Sequence, residues 1–286
     1  SSFTEGNTNL SVINNLTITD SDNTTLNAAS VTLTNNLDGI TNEKISLTTT
    51  QINDAFNDFG ITIDISTDNV ISLSGNSLIA NYQTVMSQIV YNNTSDNPNT
   101  TNRTLDIVVN DGTANSTTVS STISMGAIND APIIDLDNTT AGNNFATSFT
   151  EDNPAIAISN AATITDVDNA NMTSATITLT NNLDGITDEN ITLTAAQITA
   201  ADGLGITVNV ATDNVISLSG SSSIANYQTV INQIVYNNTS SNPNTTDRNI
   251  TVVVNDGANN SNTATTTISI TADDDAPIID LDNTTA

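Results

Sequence analysis

Apolar and polar positions alternate in short runs along most of the chain. Ile61, Ile63 and Ile65 alternate with Thr62 and Asp64; Ala175, Ile177 and Leu179 with Thr176 and Thr178; Ile206, Val208 and Val210 with Thr207 and Asn209. A period of two, filled by β-branched residues, is the pattern of half-buried strands. In the second half of the chain it predicts strands near 131–137 or 145–150, 154–158, 162–165, 173–181, 190–194, 206–210, 214–219, 233–238, 248–255 and 262–271. One segment departs from it. Between Ser223 and Ile234, the apolar positions Tyr227, Val230, Ile231 and Ile234 share a helical face. A short helix is expected there, capped by Ser222 or Ser223.

The pattern is written twice. Residues 32–41 (TLTNNLDGIT) recur at 178–187, 69–75 (NVISLSG) at 214–220, 88–95 (QIVYNNTS) at 233–240, and 131–141 (APIIDLDNTTA) at 276–286. So long a period does not suit a solenoid turn and fits beads that each own a core. An acidic stretch followed by Ala-Pro marks the joints, at Asn129–Pro132 and Asp273–Pro277. The expected organisation is a first repeat over 1–130 without its first strand, a second over 131–275, and 276–286 as the first strand of a following repeat. Ser1 then matches Thr147 and Ala286 matches Ala141, as in a piece of a longer array.

Composition sharpens this. Of 286 residues, 51 are Thr and 46 are Asn, with 36% hydrophobic, 3% aromatic, and a net charge of −28. High charge with few aromatics would suggest disorder, but the alternation argues for folded strands. Thr suits their outer faces and Asn the turns between them. The chain has no His and no Cys, so a zinc site of the usual kind, a Cys nucleophile and a Ser-His-Asp triad are excluded. Three basic residues give no footprint for nucleic acid or an anionic membrane surface. No apolar run reaches the roughly 18 residues of a membrane span. The favoured partner is a cation. Tyr82, Tyr91, Tyr227 and Tyr236 are expected to anchor the two cores, and Arg103 and Arg248, at equivalent places, to pair with nearby carboxylates.

Carboxylates cluster in oxygen-rich groups, as in sites for hard cations such as calcium. Each repeat has an early Glu (Glu5; Glu151), an Asp-x-Asp (Asp20, Asp22; Asp166, Asp168), a joint (Asn129, Asp130; Asp273, Asp274, Asp275) and an Asp-Leu-Asp, of which Asp135 and Asp137 belong to the second repeat. Asp184, Asp188 and Glu189 form a further oxygen-rich loop, read either as a turn or as a cation site. Paired carboxylates also serve glycosidases. Their recurrence at repeat ends, with few aromatics to line a sugar cleft, argues against an enzyme.

The end of each repeat, Val252-Val253-Val254-Asn255-Asp256-Gly257 followed by Thr267–Pro277, resembles the closing strands and linker of cadherin repeats. Thr165-Asp166-Val167-Asp168 resembles that family's Asp-x-Asp. The whole repeat is similar to the cadherin-like repeats of large bacterial surface adhesins. The resemblance implies an all-β architecture of tandem Ig-like, cadherin-like Greek-key sandwiches, each with one short helical segment. It also implies Ca2+ at junctions, with Glu5, Asn129, Asp130, Asp166 and Asp168 as one complete set. Asp20 and Asp22 would face a preceding unit, and Glu151 with Asp273–Asp275 a following one. The family's Asp-Arg-Glu is reduced to Asp247-Arg248-Asn249 and Asn102-Arg103-Thr104. The implied function is a calcium-stiffened spacer at the cell surface, extracellular, with neighbouring repeats as partners. Two alternatives stand beside it. One is a subunit of a self-assembling filament or sheath joined by β-strand addition. The other is a calcium-dependent carbohydrate-binding module with glycans as ligands.

Overall fold

A computed structural model describes residues 1–277 and 279. It falls into two units, Ser1–Ile128 and Asn129–Ala286. The expected strand over 276–286 falls mostly on residues outside the described ones.

Unit 1 contains β1 (Ser2–Thr4), β2 (Leu10–Ser11), β3 (Thr25–Leu33), β4 (Glu43–Ser46), α1 (Thr49–Phe59), β5 (Thr62–Asp64), β6 (Val70–Leu78), α2 (Ile79–Met86), β7 (Val90–Asn93), β8 (Arg103–Asn110) and β9 (Val119–Gly126). Unit 2 opens with β10 (Ile133–Asp135). It continues with β11 (Phe145–Thr150), β12 (Ile156–Ala157), β13 (Thr163–Thr165), β14 (Asn171–Leu179), β15 (Glu189–Thr192), α3 (Ala195–Gly203), β16 (Thr207–Thr212), β17 (Val215–Ser223), α4 (Ile224–Ile231), β18 (Val235–Asn238), β19 (Arg248–Asn255) and β20 (Ala264–Thr271).

The sheet orders are β1-β9-β8-β3-β6-β5 and β2-β7-β4 in unit 1, and β11-β20-β19-β14-β17-β16 and β12-β18-β15 in unit 2. In each unit the opening strand of the long sheet runs parallel to the closing one, β1 on β9 and β11 on β20. The other pairings are antiparallel. Each unit is an all-β sandwich with its own core. Val31, Leu33, Ile71, Leu73 and Leu105 line the inner face in unit 1, and Ile177, Leu179, Ile216, Leu218 and Ile250 in unit 2. Their odd-even alternation with threonine and serine is the sequence pattern made spatial.

Each unit carries two helices, not one. The helix expected from the Tyr227 face is α4, capped by the Ser223 hydroxyl, which accepts from the Asn226 N–H. The helices that pattern reading misses are α1 and α3. Each shows one fully buried residue (Ala55; Ala201); Ile52, Ala55, Phe56 and Phe59 share a face of α1, whereas α3 shows no such stripe. The signal common to both was the cap. Thr48 and Gln51, like Thr194 and Gln197, form reciprocal capping boxes.

The tyrosines lock the cores. Phe3 on the long sheet meets Tyr91 on the short one edge to face, with ring centroids 5.2 Å apart; Phe149 and Tyr236 repeat this at 5.5 Å. The Tyr82 and Tyr227 hydroxyls donate to the carbonyls of Gly75 and Gly220 at 2.7 Å. These glycines sit at φ +131 and +125, where a Cβ would lie 2.3 and 2.2 Å from the carbonyl oxygens of Gly60 and Gly205. Burial pushes Tyr82 and Tyr227 up to about 12, and desolvation with the Glu43 or Glu189 carboxylate raises Tyr91 and Tyr236 further. Raised values mean that the fold favours neutral phenols. That stability is whole below pH 10, the ordinary value, and is lost as pH climbs through about 12. Alkaline titration should therefore show delayed tyrosinate absorbance that rises together with loss of β-structure by circular dichroism.

Candidate metal centre

The acidic groups near the repeat joints are positioned by two kinds of turn. After β13, the Asp166 Oδ1 accepts the N–H groups of Asp168 and Asn169 at 2.9 and 2.7 Å. In the β19–β20 hairpin, the Asp256 Oδ1 accepts those of Ala258 and Asn259 at 2.6 and 2.7 Å. Asp and Asn favour such turns because their short side chains reach the backbone two or three residues on. The first residues of unit 2 join the two turns. Asn129 donates to Asp256 Oδ2 at 2.7 Å, and its own side-chain oxygen accepts from Asn169 at 2.6 Å. The Asp130 N–H donates to Asp168 Oδ2 at 2.6 Å, and Asn259 donates to the Asn129 carbonyl at 2.9 Å.

Unit 1 builds the same pair of turns. Asp20 Oδ1 accepts from the N–H groups of Asp22 and Asn23 at 3.1 Å each, Asp111 Oδ1 accepts from Thr113 and Ala114, and Asn23 donates to Asp111 Oδ2 at 3.2 Å. These bonds favour the ionised carboxyls. The Asp22 N–H and side chain hold Asp20 below the ordinary carboxylate value, and the Ala114 and Thr113 N–H groups do the same for Asp111. Burial alone would raise Asp256, but Asn129 and the N–H groups of Asn259 and Ala258 outweigh it and lower the group.

Each early Glu grips the segment leaving its own unit. Glu5 Oε2 accepts from the Ile128 N–H, and Glu151 Oε2 from the Asp273 N–H, both at 2.8 Å. Asp273 Oδ1 in turn accepts from the Asp274 N–H at 3.0 Å; Asp274 and Asp275 are exposed. Asp135 and Asp137 lie apart, at the end of β10. Asp137 accepts from Thr139, Thr140 and Asn160, and the threonine hydroxyls lower its carboxyl.

Among the described residues, no three carboxylates converge as a ready-made metal cage. The amides of Asn129 and Asn169 stand between the acids. Two observations favour a cation nonetheless. Asp166 Oδ2 and Glu151 Oε1 are buried without a hydrogen-bond partner, and Glu151 is only 4% exposed. Buried, unpaired carboxylate oxygens are costly. The surrounding donors are carboxylates, amide oxygens and carbonyls, the ligands of Ca2+. Residues that sequence reading left out of the set are Asp111, Asp256, Asn23 and Asn169. The repeated Val-Asn-Asp-Gly and the Asn after each Asp-x-Asp carried the signal.

In the Asp184 loop an arginine pairs with the carboxylates of Asp184 and Glu189. Arg248 is fully buried; its Nη2 meets Asp184 Oδ2 at 2.6 Å, and its Nε meets Glu189 Oε1. Glu189 Oε1 also accepts from Tyr236 at 2.7 Å, and Oε2 from the N–H groups of Leu183 and Asp184. Arg103 does the same with Asp38 and Glu43. The expected salt bridges to turn carboxylates are present, at Asp38 and Asp184, and each arginine is itself buried and also meets a buried glutamate.

No family model matches the sequence, and no curated protein matches it. Among solved structures, the chain is similar to human CDH23 EC21-23, at 10% identity and a TM-score of 0.35, covering 94% of this chain and 67% of that one. It is similar to mouse Cadherin-23 EC22-24 at 12% identity and a TM-score of 0.31, covering 94% and 62%. A third similar structure is BspA_C_WT, at 8% identity and a TM-score of 0.25, with 84% of each chain covered. The chain spans 38% of the extracellular cadherin domains 3-6 of Protocadherin Gamma B2, also similar at 12% identity and a TM-score of 0.31. The sandwich assignment rests on the strand pairing itself. No helix among the described residues is long and apolar enough to cross a membrane.

Proposed function

We propose that the chain is an extracellular, calcium-stiffened spacer whose repeats are held in line by Ca2+ bound at their acidic joints. The observation that carries this reading is the constellation of Asp166, Asp168 and Asp256 drawn around Asn129 and Asp130, with a buried Asp166 oxygen left unpartnered. An ion held there would fix the segment that joins the units, and Glu5 is proposed as a further ligand through its hold on Ile128. Asp20, Asp22 and Asp111 would offer the matching set at the start of unit 1, and Glu151 with Asp273, Asp274 and Asp275 the outgoing set of unit 2. Asp135 and Asp137 are left out, because threonine and asparagine donors already occupy Asp137. The chemistry is charge neutralisation. Carboxylates that repel one another leave a joint free to bend; a divalent ion between them removes the repulsion and ties the strand ends.

Equilibrium dialysis with calcium, paired with small-angle scattering, tests the proposal. Saturable calcium uptake and a longer, narrower distance distribution with calcium than with EDTA are expected. A chain that takes up no calcium, or whose dimensions ignore it, overturns the reading.

A further inference from the structure

Asparagine followed two residues on by serine or threonine is the acceptor of N-linked sugars. A chain so rich in Asn and Thr holds many such triplets, and the fold sorts them. Three occur at matching places in both units: Asn92-Asn93-Thr94 with Asn237-Asn238-Thr239, Asn93-Thr94-Ser95 with Asn238-Thr239-Ser240, and Asn99-Thr100-Thr101 with Asn244-Thr245-Thr246. Asn92 and Asn237 lie within β7 and β18, the middle strands of their sheets. Asn93 and Asn238 are 4% exposed, and their amides donate to Asp38 and Asp184. The third pair differs. Residues 99–101 and 244–246 are exposed throughout.

Their backbone is nevertheless held. The Asn99 N–H donates to Asp38 Oδ1 at 2.9 Å, and the Thr101 carbonyl accepts from the buried Arg103. Asn244 with Asp184, at 2.8 Å, and Thr246 with Arg248 repeat both bonds. Inside that frame the asparagine Oδ1 accepts the N–H of the triplet's own threonine, at 2.9 Å in each unit. The Nδ2 atoms of Asn99 and Asn244 meet no acceptor among the described residues. An amide nitrogen is a weak nucleophile because its lone pair is shared with the carbonyl. As the nitrogen gives up a proton, negative charge gathers on the oxygen, and a hydrogen bond to that oxygen favours the charged form. The turn therefore shows the amide to solvent and prepares it. In unit 2 the loop 242–245 also borders a cleft with Leu183, Asp184 and Ala272. Leu183 is 44% exposed there, an apolar floor for the face of a first sugar ring.

We propose that Asn99 and Asn244 are N-glycosylation sites. The co-substrate is a sugar joined through its anomeric carbon to a diphosphate, carried on a lipid or on a nucleotide. The Nδ2 attacks that carbon. The carbon–nitrogen bond forms as the bond to the diphosphate oxygen breaks, the diphosphate leaves with the electron pair, and Nδ2 releases one proton to a base of the transferase. The proposal does not rest on the calcium reading.

Two arms identify the carrier. The folded chain is incubated with an oligosaccharyltransferase and a lipid-diphosphate oligosaccharide, or with a soluble N-glycosyltransferase and UDP-glucose. Peptide mass mapping should find sugar at Asn99 and Asn244 in one arm or both. A strand must open before its amide can react, so the triplets of β7 and β18 should carry less sugar by about tenfold or more. Asn138-Thr139-Thr140 is the control: Asn138 is exposed, but the Thr140 N–H donates to the Asp137 carbonyl instead. Its occupancy should fall below that of Asn99 and Asn244. The variant Asn99→Gln/Asn244→Gln should keep the circular dichroism spectrum and lose most of the added mass. A folded chain left unmodified in both arms overturns the proposal. So does sugar at Asn138 equal to that at Asn99 and Asn244.

Discussion

Arg248→Met should lower the melting temperature of unit 2 by about 10–15 °C and leave unit 1 melting as before. The guanidinium is fully buried between Asp184 and Glu189, and Glu189 is itself fully buried. Removing the cation strands a carboxylate away from water, and breaking a buried pair on one side costs about 3–5 kcal/mol. At roughly 3 °C per kcal/mol for a domain of this size, that gives the shift stated. The variant Arg248→Met/Glu189→Gln separates charge from shape. It removes the uncompensated charge while keeping the acceptor for the Tyr236 hydroxyl, so it should recover part of the loss. An additive pair of substitutions would mean the ion pair is not coupled. Unit 1, with Arg103, Asp38 and Glu43 in the same arrangement, is the internal control. With no tryptophan in the chain, tyrosine signals report both units.

Strands were legible because threonine and isoleucine alternate over long enough runs to register a period of two. β14, β17 and β19 all fall where that period predicts them. Helix α3 escaped because no apolar face marks its helical period; α1 was missed although Ile52, Ala55, Phe56 and Phe59 share a face, and Thr48 with Gln51 and Thr194 with Gln197 spelled both starts. The role of the arginines was half legible. Their equivalence across repeats marked them as paired, but Arg248 meets partners about 60 residues earlier in the chain, and no local pattern fixes a contact made by strand pairing. The two separate cores follow from the long repeat period, as expected. The four tyrosines, expected from their matching places to anchor the cores, are all completely buried.

The acidic groups divide the same way. The cadherin resemblance, rather than spacing, put Asp166, Asp168, Asn129 and Asp130 in one set; in the structure the Asp130 N–H donates to Asp168, and Asn169 donates to Asn129. Sequence reading could not find Asp256, more than 80 residues on, because that approach depends on how the β19–β20 hairpin folds over the start of the unit. Nor could it separate Asp137 from the rest. An Asp-Leu-Asp has the same letters whether its carboxylates meet a cation or, as here, threonine hydroxyls.

Asp166→Asn distinguishes a cation site from a solvated turn by the direction of its effect. In wild type, calcium at 100 times its dissociation constant should stabilise by about 2.7 kcal/mol per ion bound to the folded state alone. For a unit of this length, that is a rise of several degrees in melting temperature. Without calcium, the Asp166 Oδ2 is buried and unpartnered, two residues from the Asp168 carboxylate. Replacing the carboxylate with an amide removes like-charge repulsion while an oxygen still accepts the Asp168 and Asn169 N–H groups. The EDTA melting temperature should therefore hold or rise. With calcium, the same substitution withdraws an anionic ligand, and the calcium-dependent increment should shrink. A turn whose only task is to hold the backbone would lose stability equally in calcium and in EDTA. That parallel loss, measured by calorimetry on the full chain, would remove Asp166 from the proposed site.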